Sequence, residues 1–100
     1  MAEYIRNDRG AKVFLNAMQQ PALPLEDGKN TFDVLSVGLL RGGTPLMTVK
    51  SEPENLCYKL PEELNDWACT LVGMAQSGIN VLPATVVITK DNGKYFADIL

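Results

Sequence analysis

A stripe of apolar residues between positions 61 and 76 is the feature that most constrains how this chain folds. Its members recur at intervals of three and four residues: Leu64, Trp67, Ala68, Leu71, Val72 and Ala75. That spacing places them on one face of an α-helix, and such a face must pack on another element. Pro61 suits the first helical turn, and Gly78 suits the left-handed position that ends a helix. The sequence therefore predicts a helix over residues 61–76, with Trp67 in the core.

The segment after this helix predicts a β-hairpin. β-Branched and aromatic residues at 85–89 and 94–99 flank Asn92-Gly93, which is a strong signal for a two-residue turn. Such a turn would pair Ile88 with Ala97, whereas a longer turn with a glycine bulge would shift the pairing by one residue. The sequence allows both registers.

A second hairpin is predicted in the middle of the chain. Residues 31–40 and 45–50 have strand character and flank the turn 41–44, which contains two glycines. Pro45 has no N–H to donate to a neighbouring strand. We therefore expect the strand at 45–50 to lie at a sheet edge, or to begin just after its proline.

The first thirty residues allow two interpretations. Residues 11–20 contain good helix formers and end at a proline, which favours a helix. Alternatively, residues 4–6 and 12–15 are two strands around a turn at 7–10. The helix gives the order α-β-β-α-β-β, an antiparallel sheet of two hairpins packed on one main helix. The hairpin gives three strands, a helix and two strands, which is the element order of an OB-like barrel.

Composition indicates one globular α+β domain over residues 1–100. The apolar fraction is 46% and the charged fraction 21%, close to the average for globular proteins. A net charge of −3 provides no overall positive field for nucleic acid. No segment resembles a membrane span or a secretion signal, so we expect a cytoplasmic protein.

The side chains that usually perform catalysis or bind metal are missing. The chain has no histidine, which removes the commonest general base and metal ligand. Cys57 and Cys69 are too far apart in sequence for a CxxC motif, and we expect reduced thiols rather than a disulfide. Lys59 near Cys57 would favour a reactive thiol, but we expect a buried, structural one. We therefore predict no metal, no cofactor and no enzyme activity.

Three functional hypotheses remain. The favoured one is a protein that acts by contact with another protein, as inhibitor, adaptor or assembly factor, or by forming a homodimer. The alternative is a single-stranded nucleic-acid-binding protein of OB type; a non-catalytic subunit of an enzyme is less favoured. A strand at 12–15 would favour the OB type. The residues expected to contact a protein or nucleic-acid partner are Arg41, Lys50, Tyr58, Lys90, Lys94, Tyr95 and Phe96.

Overall fold

A computed structural model describes residues 3–40 and 42–100, and within them the chain has mixed α+β character. The described residues form one α-helix and seven strands, and the strands make two antiparallel sheets. The elements are β1 (Tyr4–Arg6), β2 (Lys12–Phe14), β3 (Gly28–Leu39), β4 (Pro45–Val49), β5 (Leu56–Lys59), α1 (Asn65–Gln76), β6 (Ala84–Asp91) and β7 (Lys94–Ile99). No helix in the described part of the chain is long and apolar enough to cross a membrane.

The predicted helix is confirmed. A 3-10 turn at Glu62–Leu64 leads directly into α1. Ala68 and Leu71 are buried on its apolar face, and Trp67 packs half-buried against the core. Gly78 adopts a φ of +84° just beyond the last helical residue, a backbone conformation that favours glycine.

The C-terminal hairpin is confirmed with its shorter turn. β6 and β7 pair antiparallel with Ile88 opposite Ala97. Asn92 and Gly93 have φ values of 50° and 75°, as a two-residue turn with both central residues left-handed requires. The alternative register with a glycine bulge is therefore wrong.

The central hairpin is also confirmed, but β4 is not an edge strand. β3 pairs with β4 on one side and with β6 on the other. β4 in turn pairs with β5, which the sequence analysis did not identify. Pro45 is tolerated in an interior strand because it is the first residue, where its carbonyl still accepts a hydrogen bond from the Leu60 N–H at 3.0 Å.

The predicted helix at 11–20 is wrong, and with it the order α-β-β-α-β-β. β1 and β2 form a two-stranded sheet of their own, and only a 3-10 turn occurs at Ala17–Gln19. The Asn7 side-chain oxygen accepts hydrogen bonds from the backbone N–H groups of Arg9 and Ala11, at 2.9 and 3.1 Å. This Asx turn, together with an apolar surface for β2 to cover, outweighs the helix propensity of the segment.

The five other strands form one open antiparallel sheet in the order β5-β4-β3-β6-β7. No hydrogen-bonded ladder joins β5 to β7 within residues 3–40 and 42–100, so the OB-like barrel is not confirmed as a closed structure. α1 packs against one face of the sheet, on β3 and β4. The core between them contains Val34, Met47, Val49, Leu64, Ala68, Val86 and Ile88.

The N-terminal hairpin covers the opposite face of β4 and β5. Ala11 and Val13 pack there against Leu46 and Cys57. The Asn7 side-chain amide donates a hydrogen bond to the Thr48 hydroxyl at 2.9 Å. Because α1 covers one face and the hairpin the other, every residue of β4 is buried.

Replacing Met47 by alanine should destabilise the protein strongly, because its side chain is fully buried between the sheet and the helix. We expect a loss of about 2–5 kcal/mol in the free energy of unfolding, measured by urea denaturation. The matched control is Met18→Ala, since Met18 is 87% exposed. That variant should differ from wild type by less than about 0.5 kcal/mol. Similar losses in the two variants would contradict this assignment of the core.

Candidate nucleic-acid interface

A cleft of about 920 Å³ opens at the end of the sheet where β4 begins and β5 ends. Four segments form its walls: the β3–β4 turn, the end of β5 with the start of the helix, the loop after β2, and the β6–β7 hairpin. Only the tertiary structure brings these segments together, since they are distributed over most of the sequence. The cleft is wide enough for a flexible ligand of several groups.

The polar groups of the cleft combine two cations with one aromatic ring. Lys59 lines it from β5, while Lys90 and Tyr95 line it from the last hairpin. Lys90 and Tyr95 are directly opposite each other in the β6–β7 ladder, so their side chains lie on the same face. A carboxylate, Glu62, also lines the cleft, which therefore has mixed charge with an excess of cations among these residues.

The β3–β4 turn lies at the rim of the cleft with a fixed conformation. Gly42 and Gly43 have φ values of +100° and +91°, which side chains larger than hydrogen disfavour. The Asn65 side-chain amide donates a hydrogen bond to the Gly43 carbonyl at 2.6 Å, which ties the turn to the first residue of α1. The glycine pair thus forms a turn between two strands, as the sequence predicts.

A second group of aromatic and basic side chains lies on the N-terminal hairpin. We call it the hairpin face, and it consists of Tyr4, Arg6, Lys12 and Phe14. Residues on alternate positions share one side of a strand, and Tyr4 pairs with Phe14 as Arg6 pairs with Lys12. Between them, Val13 points the other way and is buried against the large sheet.

The side chains of the hairpin face interact with one another. The Tyr4 and Phe14 rings meet edge to face with centroids 5.8 Å apart. The Lys12 ammonium lies 4.8 Å from the centroid of the Tyr4 ring, and the Arg6 guanidinium 5.9 Å from it. These are cation–π distances, and they hold two aromatic rings and two positive charges in one exposed patch.

The charge of Arg6 is partly compensated by Glu54. Their side chains form a salt bridge of 2.8 Å on the surface. The hydrogen bond and the charge of Arg6 hold the pKa of Glu54 below its usual value, while the same bond raises the pKa of Arg6. No comparable ion pair involves Lys12 in the part of the chain that the structure describes. Lys12 is therefore the better placed of the two cations for a bound anion.

Two of the sequence-predicted contact residues come together, and the others do not. Lys90 and Tyr95 share the cleft. Tyr58 is opposite Met47 and packs half-buried against the core, so its ring is not a free stacking surface. Lys50 is exposed at the other end of β4, about 17 Å from Pro45 at the strand rise of about 3.3 Å per residue.

The remaining predicted contacts lie elsewhere. Lys94 and Phe96 are exposed on the face of β7 opposite to Tyr95, because side chains alternate along a strand. Phe96 has 52% of its surface exposed. Arg41 lies outside the described residues.

Sequence reasoning missed the hairpin face and Lys59. The signal for the hairpin face was present as two short alternating triplets, Tyr-Ile-Arg and Lys-Val-Phe, on either side of a turn. This signal can be recognised only if the first residues are interpreted as a hairpin, and the helix formers at 11–20 favoured a helix instead. Lys59 gave no signal, because β5 was not recognised as a strand.

The burial of Cys57 supports the expectation that it is a structural thiol and not a reactive one. Both cysteines are free; Cys57 is buried and Cys69 is exposed. Burial raises the pKa of Cys57, and a hydrogen bond with Thr48 opposes this only in part. Lys59 lies two residues away on the same face of β5, but it does not activate the thiol, because burial is the largest influence on the pKa of Cys57 and raises it. Among the described residues, no group of three or more metal-ligating side chains occurs.

Comparison with protein-family models, with curated protein sequences and with solved structures finds no match. The cleft and the hairpin face are therefore the features from which a function can be inferred.

The two thiols should differ strongly in reactivity. At pH 8 an alkylating reagent should modify Cys69 rapidly and Cys57 slowly, because Cys57 is buried and its raised pKa leaves less thiolate. Peptide mass spectrometry of a time course measures both rates on one sample. Denatured protein is the control, in which both thiols should react. Equal rates in the native protein would contradict the packing of β5 beneath the hairpin.

Proposed function

We propose that this protein binds single-stranded nucleic acid through the hairpin face and the adjacent cleft. The observation that carries the proposal is the connectivity of the large sheet. Three antiparallel strands, a helix and two further strands form a sheet in the order β5-β4-β3-β6-β7. This order supports a comparison with OB-type domains, which bind oligonucleotides on their second and third strands and on the loops between strands 1 and 2 and between strands 4 and 5.

The long first strand of this sheet supports the comparison. β3 has 12 residues; its first part pairs with β6 and its last part with β4. An irregularity between Val34 and Ser36 separates the two parts. A bulge of this kind bends a strand and lets it serve two curved halves of a barrel-like sheet. The sheet is open between β5 and β7, so we compare this domain with an OB-type sheet that is not closed into a barrel.

The position of the cleft fits this comparison. When β3 is counted as the first strand, the loop between the first two strands is the turn that contains Gly42 and Gly43. The loop between the fourth and fifth is Asn92-Gly93, next to Lys90 and Tyr95 in the ladder. Gly42 and Gly43 of the first loop line the cleft, and the last hairpin contributes Lys90 and Tyr95, one ladder pair removed from its turn. In OB-type domains these two loops are the ones that contact ligand.

The hairpin alters the surface that would otherwise bind the strand. It covers the outer face of β4 and β5 and presents its own outer face in that place. Aromatic rings there offer stacking of about 1–3 kcal/mol per base, and Lys12 supplies a charge for the backbone. Ala17 lines the cleft and is three residues from Phe14 in sequence. The two residues are therefore at most about 11 Å apart. One short single strand could contact both surfaces.

The acidic net charge sets the expected strength of binding. At −3 the protein as a whole repels phosphates, so the local cations must act at short range. Binding should therefore be moderate and sensitive to salt. Single strands should bind better than duplexes, because only unpaired bases expose their faces to Tyr4 and Phe14.

Fluorescence anisotropy with labelled DNA and RNA of about 15 nucleotides tests the proposal, since one OB-type domain covers about 4–16 nucleotides. We expect micromolar binding at low salt that weakens as salt rises, and weaker binding of a duplex of the same sequence. Absence of binding at low salt to both DNA and RNA would overturn the proposed function. It would leave contact with a protein, which the sequence analysis favoured, as the hypothesis to pursue.

Charge removal in the cleft should weaken binding and reduce its dependence on salt. In the double variant Lys59→Gln/Lys90→Gln, the slope of log K against log salt should fall in magnitude by about 1.4, at about 0.7 per lost phosphate contact. Lys50→Gln is the matched control, because it removes the same charge from an exposed site at the far end of β4. An equal loss of slope per charge in the control would indicate nonspecific attraction rather than a site.

Removal of a stacking ring should act differently from removal of charge. Tyr4→Ala should weaken binding about tenfold, as expected for the loss of about 1.4 kcal/mol of base stacking, and should leave the salt slope nearly unchanged. The exposed Ile79→Ala variant, distant in sequence from the hairpin, serves as control. Unchanged affinity in Tyr4→Ala would remove the hairpin face from the binding surface.

A further inference from the structure

The two edges of the large sheet differ in how they are covered. On β5, the Lys59 N–H donates to the Pro21 carbonyl at 2.8 Å, and its carbonyl accepts from the Leu23 N–H at 2.9 Å. The loop before β3 thus occupies that edge. On β7, the residues within 3–40 and 42–100 provide no such backbone partner. An unpaired strand edge is a template for pairing with another strand.

The geometry of the last hairpin determines which groups of β7 point outward. In a two-residue hairpin the residues that flank the turn, Asp91 and Lys94, form a hydrogen-bonded pair. Every second residue from Lys94 therefore bonds to β6, and Tyr95, Ala97 and Ile99 direct their N–H and carbonyl groups outward. The Leu100 N–H follows the same alternation and donates to the Thr85 carbonyl at 2.9 Å. The 3-10 turn at 62–64 lies near β7 without a backbone hydrogen bond between them among the described residues.

The outer face of β7 is complementary to itself. Its exposed side chains are, in order, a cation, an aromatic ring and an anion: Lys94, Phe96 and Asp98. In an antiparallel copy the order is reversed, so cation meets anion on both sides of a central pair of rings. Phe96 is 52% exposed, and directly opposite aromatic and opposite-charge pairs stabilise neighbouring strands.

We propose that β7 pairs antiparallel with β7 of a second copy of this chain, with Phe96 at the two-fold axis. In this register Lys94 of each copy is directly opposite Asp98 of the other. The outward backbone groups of Tyr95 meet those of Ala97 in the second copy, so hydrogen-bonding residues meet only hydrogen-bonding residues. The result is a continuous sheet through both molecules with an isologous interface.

A shift of the axis to Ala97 would preserve the hydrogen bonds but lose the charge pairing. Lys94 would then be opposite Leu100, and Phe96 opposite Asp98. The side chains therefore select the register centred on Phe96, in the way that cross-strand pairs select register within a sheet. Tyr95, which lines the cleft with Lys90, then lies beside Ala97 of the second copy on the other face of the shared sheet.

Light scattering after size-exclusion chromatography, over a range of protein concentrations, tests the proposal. We expect a dimer that dissociates on dilution. Asp98→Lys should raise the dissociation constant about tenfold or more, because two attractive pairs become two repulsive ones. Within one chain Asp98 is opposite Val87, so this substitution breaks no intramolecular ion pair. Because Lys94 is also directly opposite Asp91 within the chain, charge exchange is made in an Asp91→Asn background: Lys94→Glu/Asp98→Lys there restores both intermolecular pairs and should recover the constant of Asp91→Asn alone to within about threefold.

Cross-linking tests the register independently of charge. In a Cys69→Ser background, Phe96→Cys should form a disulfide dimer under mild oxidation by oxidised glutathione, because directly opposed residues at a non-hydrogen-bonded position lie about 4.5 Å apart between Cα atoms. The control is Ile79→Cys, another exposed apolar site, at 54% exposure. A wild-type monomer at all concentrations would overturn the proposal. So would a dimer unaffected by Asp98→Lys, or one that cross-links no better through position 96 than through position 79.

Discussion

The pairing of β3 with two partners is the constraint on which the rest of the structure depends. Its first part joins β6 and β7 to the sheet, and its last part joins β4 and β5. Without β3, the strand pairs β4–β5 and β6–β7 would share no backbone hydrogen bonds, and α1 would have no continuous surface to cover. The irregularity near Val34 bends the strand. Val34 itself is fully buried at the point where the two parts of β3 meet.

Burial of β4 on both faces is the second consequence of this arrangement. Helix α1 supplies one apolar layer and the N-terminal hairpin supplies the other. The hairpin contributes few residues to the core, but polar groups as well as apolar ones are satisfied beneath it. The Gln20 side chain donates hydrogen bonds to the carbonyls of Lys12 and Cys57 and accepts one from the Phe14 N–H. The same hairpin carries aromatic rings and cations on its free side, where a strand of OB type would otherwise meet its ligand.

Strand alternation separates the two proposed surfaces of β7. Tyr95 points toward the cleft, while Lys94, Phe96 and Asp98 lie on the other face. In the proposed dimer, the strand that contributes Tyr95 to the cleft also pairs with β7 of the second copy, where Tyr95 lies beside Ala97. In such a dimer, two clefts would lie on one continuous sheet. Nucleic acid that reaches both would bind more tightly through the higher effective concentration of the second site.

Local periodicity and residues suited to special φ values were enough to predict the helix at 61–76 and both long hairpins from sequence, while the register of the C-terminal hairpin stayed open between two turns. Tertiary structure decided the rest. The segment at 11–20 forms a strand and a short turn, with Ala11 and Val13 buried against Leu46, because tertiary packing outweighs helix propensity in a segment of this length. Of the predicted contact residues, Lys90 and Tyr95 both line the cleft, whereas the Tyr58 ring packs against the core. Which face of a strand is buried depends on the layers packed on it, and those are distant in sequence.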